Sequence, residues 1–326
     1  MKNVTLFYRL HPSGMALLEG RADLRLTAIS RPGAAEFAGA LRTANAVLVA
    51  LENIGEAELA QAPNLEIISR FGVGYDAIDI PACSRRGVAV SVTNGGNDLA
   101  VAEHALGLML AVARRTVEMD QRVRSNRWSD RDGRPMGELA GRTVLVMGYG
   151  RIGTRVARLC AAFGMRVMVC DPEFPIPRIA ADGHIPVTEI ATVLADVDVL
   201  TLHCPLSERT RHLVNRETLS LMKPSAWLIN TARGGLVDEP ALADALAHGK
   251  LEAAGLDVLI REPPEADNPL FKLPNVVLSP HVAAAPVETF AKMSIRAAQN
   301  ILERFDGTLD PGFVVNPEVL PNRRNA

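Results

Sequence analysis

The sequence predicts an α/β protein of two doubly wound parallel-sheet domains, the first of them discontinuous. Three observations carry this. Short apolar, β-branched runs recur along the 326 residues, separated by helical patterns or polar loops, and such alternation builds parallel sheets with helices on both faces. A glycine-rich turn, GYGRIG at 148–153, lies mid-chain with five such runs before it. A long helical pattern at 99–124 and another at 286–305 read as the crossing into a second domain and the return.

Taken in order, the strand-like runs fall near 4–8, 24–29, 46–51, 65–69 and 88–92, then 144–147, 167–170, 199–203, 227–230, 254–258 and 276–279. The stretch around the glycines is the most explicit. Thr143 to Met147 is a buried strand. Ile152, Val156, Leu159, Cys160 and Phe163 then recur at helical spacing, with Gly164 placed to end the helix. Arg166 to Cys170 is a second strand, closing on Asp171. Strand, G-x-G-x-x-G, helix, strand and an acid about 20 positions on make a Rossmann-like βαβ unit that holds a dinucleotide.

Each part has a physical task. Gly148 allows the tight turn, Gly150 lets a pyrophosphate approach the backbone, and Gly153 lets the helix pack closely on the strand. The helix N-terminus offers free N–H groups and a partial positive charge. Asp171 would accept hydrogen bonds from a ribose diol and repel a 2′-phosphate, so the expected cofactor is NAD. The expected boundaries are 1–98 with 286–326 for a substrate-binding domain and 99–285 for the NAD-binding domain.

Composition excludes other classes. The formal net charge is −2 and 48% of residues are hydrophobic, ample for two cores and without the basic excess of a nucleic-acid or anionic-membrane binder. The densest basic run is Arg122, Arg124, Arg127, Arg131 and Arg134 around Trp128. Asp130 and Asp132 interrupt it, so it reads as a solvated helix end or a subunit contact. Cys83, Cys160, Cys170 and Cys204 form no C-x-x-C pair and read as reduced thiols. The N-terminus lacks the pattern of a secretion signal, and the apolar helix near 105–113 is too short to span a bilayer. The expectation is a soluble cytoplasmic protein with no membrane, nucleic-acid or metal partner.

Ligands of doubly wound sheets bind outside the carboxyl ends of the strands. There, three successive strands run into Arg233, Glu262 and His281. An imidazole can give and take a proton near neutral pH. A neighbouring carboxylate fixes its tautomer, and a guanidinium clamps a carboxylate by two parallel bonds. Singly, each residue is ambiguous, since a turn or a solvated surface explains it as well. His203, at another strand end, competes for the proton-transfer role. His104, inside a helix, reads as a packing residue.

Seven stretches carry a resemblance over about residues 40–315: RFGVGYDAID (70–79), VAEHALGLML (101–110), GYGRIG, LHCPL (202–206), INTARGGLVDE (229–239), AAGLDVLIREPP (253–264) and SPHVAA (279–284). In this order they resemble the D-isomer-specific 2-hydroxyacid dehydrogenases. The resemblance implies Arg233, Glu262 and His281 as catalytic residues, and places on His203 a histidine that is not the acid–base group. It implies cofactor contacts at Val73, Arg151, Ile152, Asp171, Cys204, Pro205, Thr231, Ala232, Arg233, Asp257, His281, Ala283 and Ala284, with Asp257 facing the nicotinamide carboxamide. It implies substrate contacts at the Val73 and Gly74 amides, Asn97 and Arg233, and a homodimer through the NAD-binding domains. One departure is Thr93-Asn94-Gly95-Gly96, where relatives often carry a proline.

The implied activity is hydride transfer between NAD and the second carbon of a small D-2-hydroxyacid or 2-oxoacid. Phosphoglycerate-type relatives carry a cation after the third strand, where this chain reads Ala50-Leu51-Glu52-Asn53-Ile54. An unphosphorylated substrate such as glyoxylate or hydroxypyruvate is therefore expected, with D-3-phosphoglycerate as the alternative. Arg131 or Arg134 could supply a cation from a second subunit. A non-enzymatic NAD-sensing corepressor is the alternative of another class. Formate oxidation is disfavoured by Glu262, where those relatives carry Gln.

Overall fold

A computed structural model describes residues 1–29, 33–130 and 135–321. The chain forms two compact units, Met1–Asn97 with Ala285–Ala326, and Asp98–Ala284.

In the first unit the order is β1 (Lys2–Leu6), α1 (Pro12–Glu19), β2 (Leu24–Ala28), α2 (Ala34–Leu41), β3 (Ala46–Val49), α3 (Glu56–Ala60), β4 (Ile67–Arg70), α4 (Ile80–Arg85) and β5 (Ala89–Ser91). The five strands pair in parallel in the order β2-β1-β3-β4-β5, so the topology reverses between β1 and β3. The last long helix, α11 (Val287–Phe305), belongs here. Ser69 Oγ donates to the Ala297 carbonyl and Asn300 Nδ2 to the Val92 carbonyl, which fixes α11 against the sheet. The tail then covers the edge of β5. Buried Asn316 accepts from the Val90 amide and donates to the Val88 carbonyl, copying a strand's two bonds with one side chain.

The second unit opens with α5 (Asp98–Arg114) and α6 (Thr116–Arg124). The sequence predicts one helix here. The chain instead breaks at Arg115, whose φ of 51° is left-handed, a conformation no helix continues through. There follow β6 (Thr143–Met147), α7 (Arg151–Ala162), β7 (Arg166–Cys170), α8 (Ile176–Ala181), β8 (Ile185–Pro186), β9 (Val199–Leu202), α9 (Arg216–Leu221), β10 (Trp227–Asn230), α10 (Glu239–Ala247), β11 (Ala253–Leu256) and β12 (Val276–Leu278). Among the described residues they form a seven-stranded parallel sheet, β12-β11-β10-β9-β6-β7-β8. β8 was not expected. At two residues on the sheet edge it carries no apolar run to signal it.

Every residue of β6, β9, β10 and β11 is buried, as strands covered on both faces must be. Two cores flank the sheet. One is centred on Leu145, Leu200, Leu228 and Leu242, the other on Met109, Val146, Tyr149 and Trp227. The topology reverses between β6 and β9, so the crevice of this sheet opens beyond Met147 and Leu202.

Candidate active site

The glycine turn sits at that crevice. Gly148 has φ +90°, and a Cβ on it would lie 2.7 Å from the Cys204 nitrogen. A Cβ on Gly153 would lie 1.9 Å from the Gly148 carbonyl oxygen. Both positions therefore need glycine. A Cβ on Gly150 would meet nothing within 4 Å, so open space lies over that residue. Gly150 is the N-cap of α7 and supplies no side-chain cap, which suits an anion at the helix N-terminus.

Tyr149, between the glycines, is fully buried, and its hydroxyl donates to Asp182 (2.9 Å) while its ring packs edge-on to Phe174. It pins the segment after β7 against the turn. Asp171, at the end of β7, accepts from the Tyr149 amide (2.7 Å) and the Glu173 amide (2.9 Å) through different oxygens. Each oxygen keeps an acceptor site for a ribose hydroxyl. Thr231 is buried and its Oγ1 has no partner, an orphaned polar atom at the carboxyl end of β10. Cradle, uncapped helix start, acid and orphaned hydroxyl fit a dinucleotide.

The proposed catalytic residues follow three neighbouring strands. Arg233 lies three residues past β10. Asn230 shapes its loop by accepting from the Ala232 amide and donating to the Arg233 carbonyl, and Arg233 Nη1 donates to the Ala232 carbonyl (2.7 Å). A Cβ on Gly234 would lie 2.0 Å from the Leu259 carbonyl carbon, so the arginine loop is pressed onto the loop that carries Glu262. Glu262 accepts from the Leu259 amide with Oε1 and bonds His281 Nδ1 with Oε2 at 2.6 Å. That pairing puts the carboxylate on one ring nitrogen and leaves Nε2 for other chemistry. His281 has φ +53°, an uncommon conformation for a non-glycine residue.

Asp257 lies one residue beyond β11, with its side chain wholly enclosed. It accepts from Ser279 Oγ (2.6 Å), the Val282 amide and the Ala283 amide. Burial alone would raise its pKa; the donors from His104, Ser279 and the two amides outweigh burial and hold it below the usual carboxylate range. His104 does more than pack: its Nε2 lies 2.9 Å from Ser279 Oγ. Ser279 was not singled out in the sequence, although it stands two residues before His281. His203 bonds Thr201 Oγ1 (2.8 Å). Part of its surface is open, yet the protein packed around the ring pushes its pKa down to about 3, leaving it neutral near pH 7. Cys204, beside Gly148, is pushed up to about 11 by burial and stays a thiol.

In the first unit, Val73 and Gly74 are half-buried in the loop after β4. Asn97 is 7% exposed and its Oδ1 has no partner. The Thr93–Gly96 segment closes without a proline: the Gly96 amide bonds the Thr93 carbonyl, and Gly95 takes φ +81°. Arg131 and Arg134 lie outside the described residues. Among the described residues no helix is long and apolar enough to cross a membrane, and no cluster of three metal-binding side chains forms.

Residues 106–283 match the family model of the D-isomer specific 2-hydroxyacid dehydrogenase, NAD binding domain. The chain is 39% identical over 297 residues to a glyoxylate reductase of Thermofilum pendens, covering 90% of this chain and 87% of the relative. It is 40% identical over 279 residues to a D-3-phosphoglycerate dehydrogenase of Archaeoglobus fulgidus, covering 85% of this chain but 52% of the relative. The structure of an NADPH-dependent glyoxylate/hydroxypyruvate reductase from Sinorhizobium meliloti, in complex with NADP and malonate, superposes with a TM-score of 0.87 at 31% identity over 99% of both chains. A crevice that fits a dinucleotide, on a domain that matches a dehydrogenase NAD-binding domain and aligns with named reductases, defines a nicotinamide-dependent oxidoreductase. The chain belongs to the D-isomer-specific 2-hydroxyacid dehydrogenase family.

Proposed function

We propose that the chain reduces a small, unphosphorylated 2-oxoacid, such as glyoxylate or hydroxypyruvate, with NADH as the preferred donor, and catalyses the reverse oxidation. The 2.6 Å pair between His281 Nδ1 and Glu262 carries the reading, because it is an acid–base unit with its tautomer set. When bound, the nicotinamide supplies or accepts the hydride. His281 Nε2 delivers a proton to the substrate oxygen in reduction and takes it back in oxidation. Glu262 holds the ring in place and sets which nitrogen faces the substrate. Arg233 grips the substrate carboxylate and polarises the carbonyl. Val73, Gly74 and Asn97 are assigned to the substrate, and the loops at Cys204–Pro205, Thr231–Ala232 and Ala283–Ala284 to the dinucleotide.

The lack of a phosphate on the substrate is supported by the loop after β3. Its one charged side chain, Glu52, turns back so that Oε2 accepts from the Ala50 amide (2.6 Å) and the Leu51 amide (3.0 Å). The amides that could hold an anion are taken by the chain's own carboxylate, and an unpaired phosphate there would be costly. A second reading, D-3-phosphoglycerate oxidation, is favoured by Arg9, which follows β1, the strand paired with β3, with its guanidinium 5.2 Å from the Phe290 ring centroid. The deciding measurement is kcat/KM for hydroxypyruvate against its 3-phosphate. An advantage of tenfold or more for the phosphorylated compound selects the second reading.

NAD preference rests on Asp171. A structural relative is NADPH-dependent; with Asp171 at the ribose, the expected advantage of NADH in kcat/KM here is at least about tenfold, or about 1.4 kcal/mol. Equal use of both cofactors contradicts it. We assign a homodimer to the second unit, where Trp128, in the turn beyond α6, is 70% exposed, and a cytoplasmic location. A sedimentation profile showing only monomer at micromolar concentration refutes the dimer.

A further inference from the structure

His281 is held by a chain of polar contacts that begins on the opposite side of its loop, at α5. Asp257 supports the loop three times over. Its carbonyl accepts from the His281 amide (2.8 Å), Oδ1 from the Val282 amide (2.9 Å) and Oδ2 from the Ala283 amide (2.9 Å). These bonds hold His281 at its positive φ, a backbone state that costs free energy wherever the surroundings do not impose it.

The carboxylate of Asp257 is enclosed and ionised, so it can only accept hydrogen bonds. Ser279 Oγ, 2.6 Å from Oδ1, must then be a donor, and that distance is typical of a charge-assisted O–H···O⁻ bond. A hydroxyl has one proton. With it committed to Asp257, Ser279 Oγ can only accept from His104 Nε2 at 2.9 Å. His104 therefore carries its proton on Nε2, and Nε2 also stands 3.3 Å from Asp257 Oδ1. Its side chain remains 27% exposed, so burial of the ring does not explain a histidine at this position on α5. An apolar residue there would leave Ser279 Oγ without the donor that fixes its orientation toward Asp257.

We propose that His104, acting through Ser279 and Asp257, is a positioning residue that holds the His281 loop in its reactive conformation. This rests on the acid–base role given above to His281. His104 acts at a remove from His281: it orders the serine hydroxyl, the hydroxyl orders the carboxylate, and the carboxylate orders the backbone on which the acid–base residue stands.

The test compares His104→Phe, which keeps bulk and removes the donor, with His104→Gln, which keeps a side-chain N–H, and with Ser279→Ala, which cuts the chain at its middle. With glyoxylate and NADH, His104→Phe and Ser279→Ala should each lower kcat about tenfold, with both KM values within about threefold of wild type. The double variant should be little worse than either single one, since both break one chain. His104→Gln should recover most of the loss. Hydrogen exchange supplies a readout independent of activity: the Val282 and Ala283 amides should exchange at least about tenfold faster in His104→Phe while β6 keeps its protection. Unchanged kcat with unchanged exchange at 282–283 overturns the proposal. So does exchange that quickens equally throughout the unit, which would make His104 an ordinary stabiliser. If wild type reduces no 2-oxoacid, the functional reading fails, and the exchange pattern still decides the role of His104.

Discussion

Arg233 and Gly234 are adjacent and fail in different ways when changed. Arg233→Lys keeps the charge and loses the planar fork, so it should lose at least about tenfold in kcat/KM, with the fold intact by circular dichroism. Gly234→Ala adds a methyl where the Leu259 backbone already stands, 2.0 Å from the new atom. Either the Arg233 loop or the Glu262 loop must move. The expected result is a loss of about 3 kcal/mol or more in stability together with activity, readable as a lowered denaturation midpoint. Asp171→Ala should leave kcat with NADH nearly unchanged, raise its KM, and narrow the gap between NADH and NADPH. A gap that stays as wide would remove Asp171 from the ribose site.

Much at this scale was legible because residue type and position suffice. Three glycines at fixed spacing and a polar residue at each of three strand ends can be read without coordinates. Ser279, Asn316 and Tyr149 could not be read so. Each works through a partner distant in sequence, Ser279 through Asp257, Asn316 through Val88 and Val90, and Tyr149 through Asp182, and nothing local marks the pairing.

Among elements, the buried strands were easiest to read, since an unbroken apolar run leaves few alternatives. The edge strand β8 and the break between α5 and α6 were not. The first is too short to carry a pattern. The second is a single residue, Arg115, in a conformation its type does not favour. The segment around β9 makes a prediction of its own. Burial pushes His203 in the folded chain down to about 3, against about 6.5 for an unfolded histidine. Between those values the unfolded state binds more protons, so stability rises with pH and is lost as pH falls below about 6.5. Burial lowers His184 in the same sense. Melting temperature should therefore fall from pH 7 to pH 4.5, and His203→Asn should show a smaller fall over the same range. An equal fall in both proteins would place the acid sensitivity elsewhere.

At the level of the whole molecule, each unit repeats one plan: a parallel sheet whose strand order reverses once, between β1 and β3 in the first and between β6 and β9 in the second. Alternating patterns and the mid-chain glycine turn were enough to predict two doubly wound sheets. Substrate choice was less legible, because it depends on where Glu52 and Arg9 point rather than on which residues they are. The central claim is that His281, set by Glu262, is the proton donor of an NADH-dependent 2-oxoacid reductase. It is tested most directly by kcat for hydroxypyruvate reduction in wild type and His281→Asn at the same pH. Wild type should oxidise NADH only when the oxoacid is present, and the variant should be slower by roughly a hundredfold to ten-thousandfold while still binding NADH. Equal turnover in the two proteins, or no turnover of any 2-oxoacid by wild type, would contradict it.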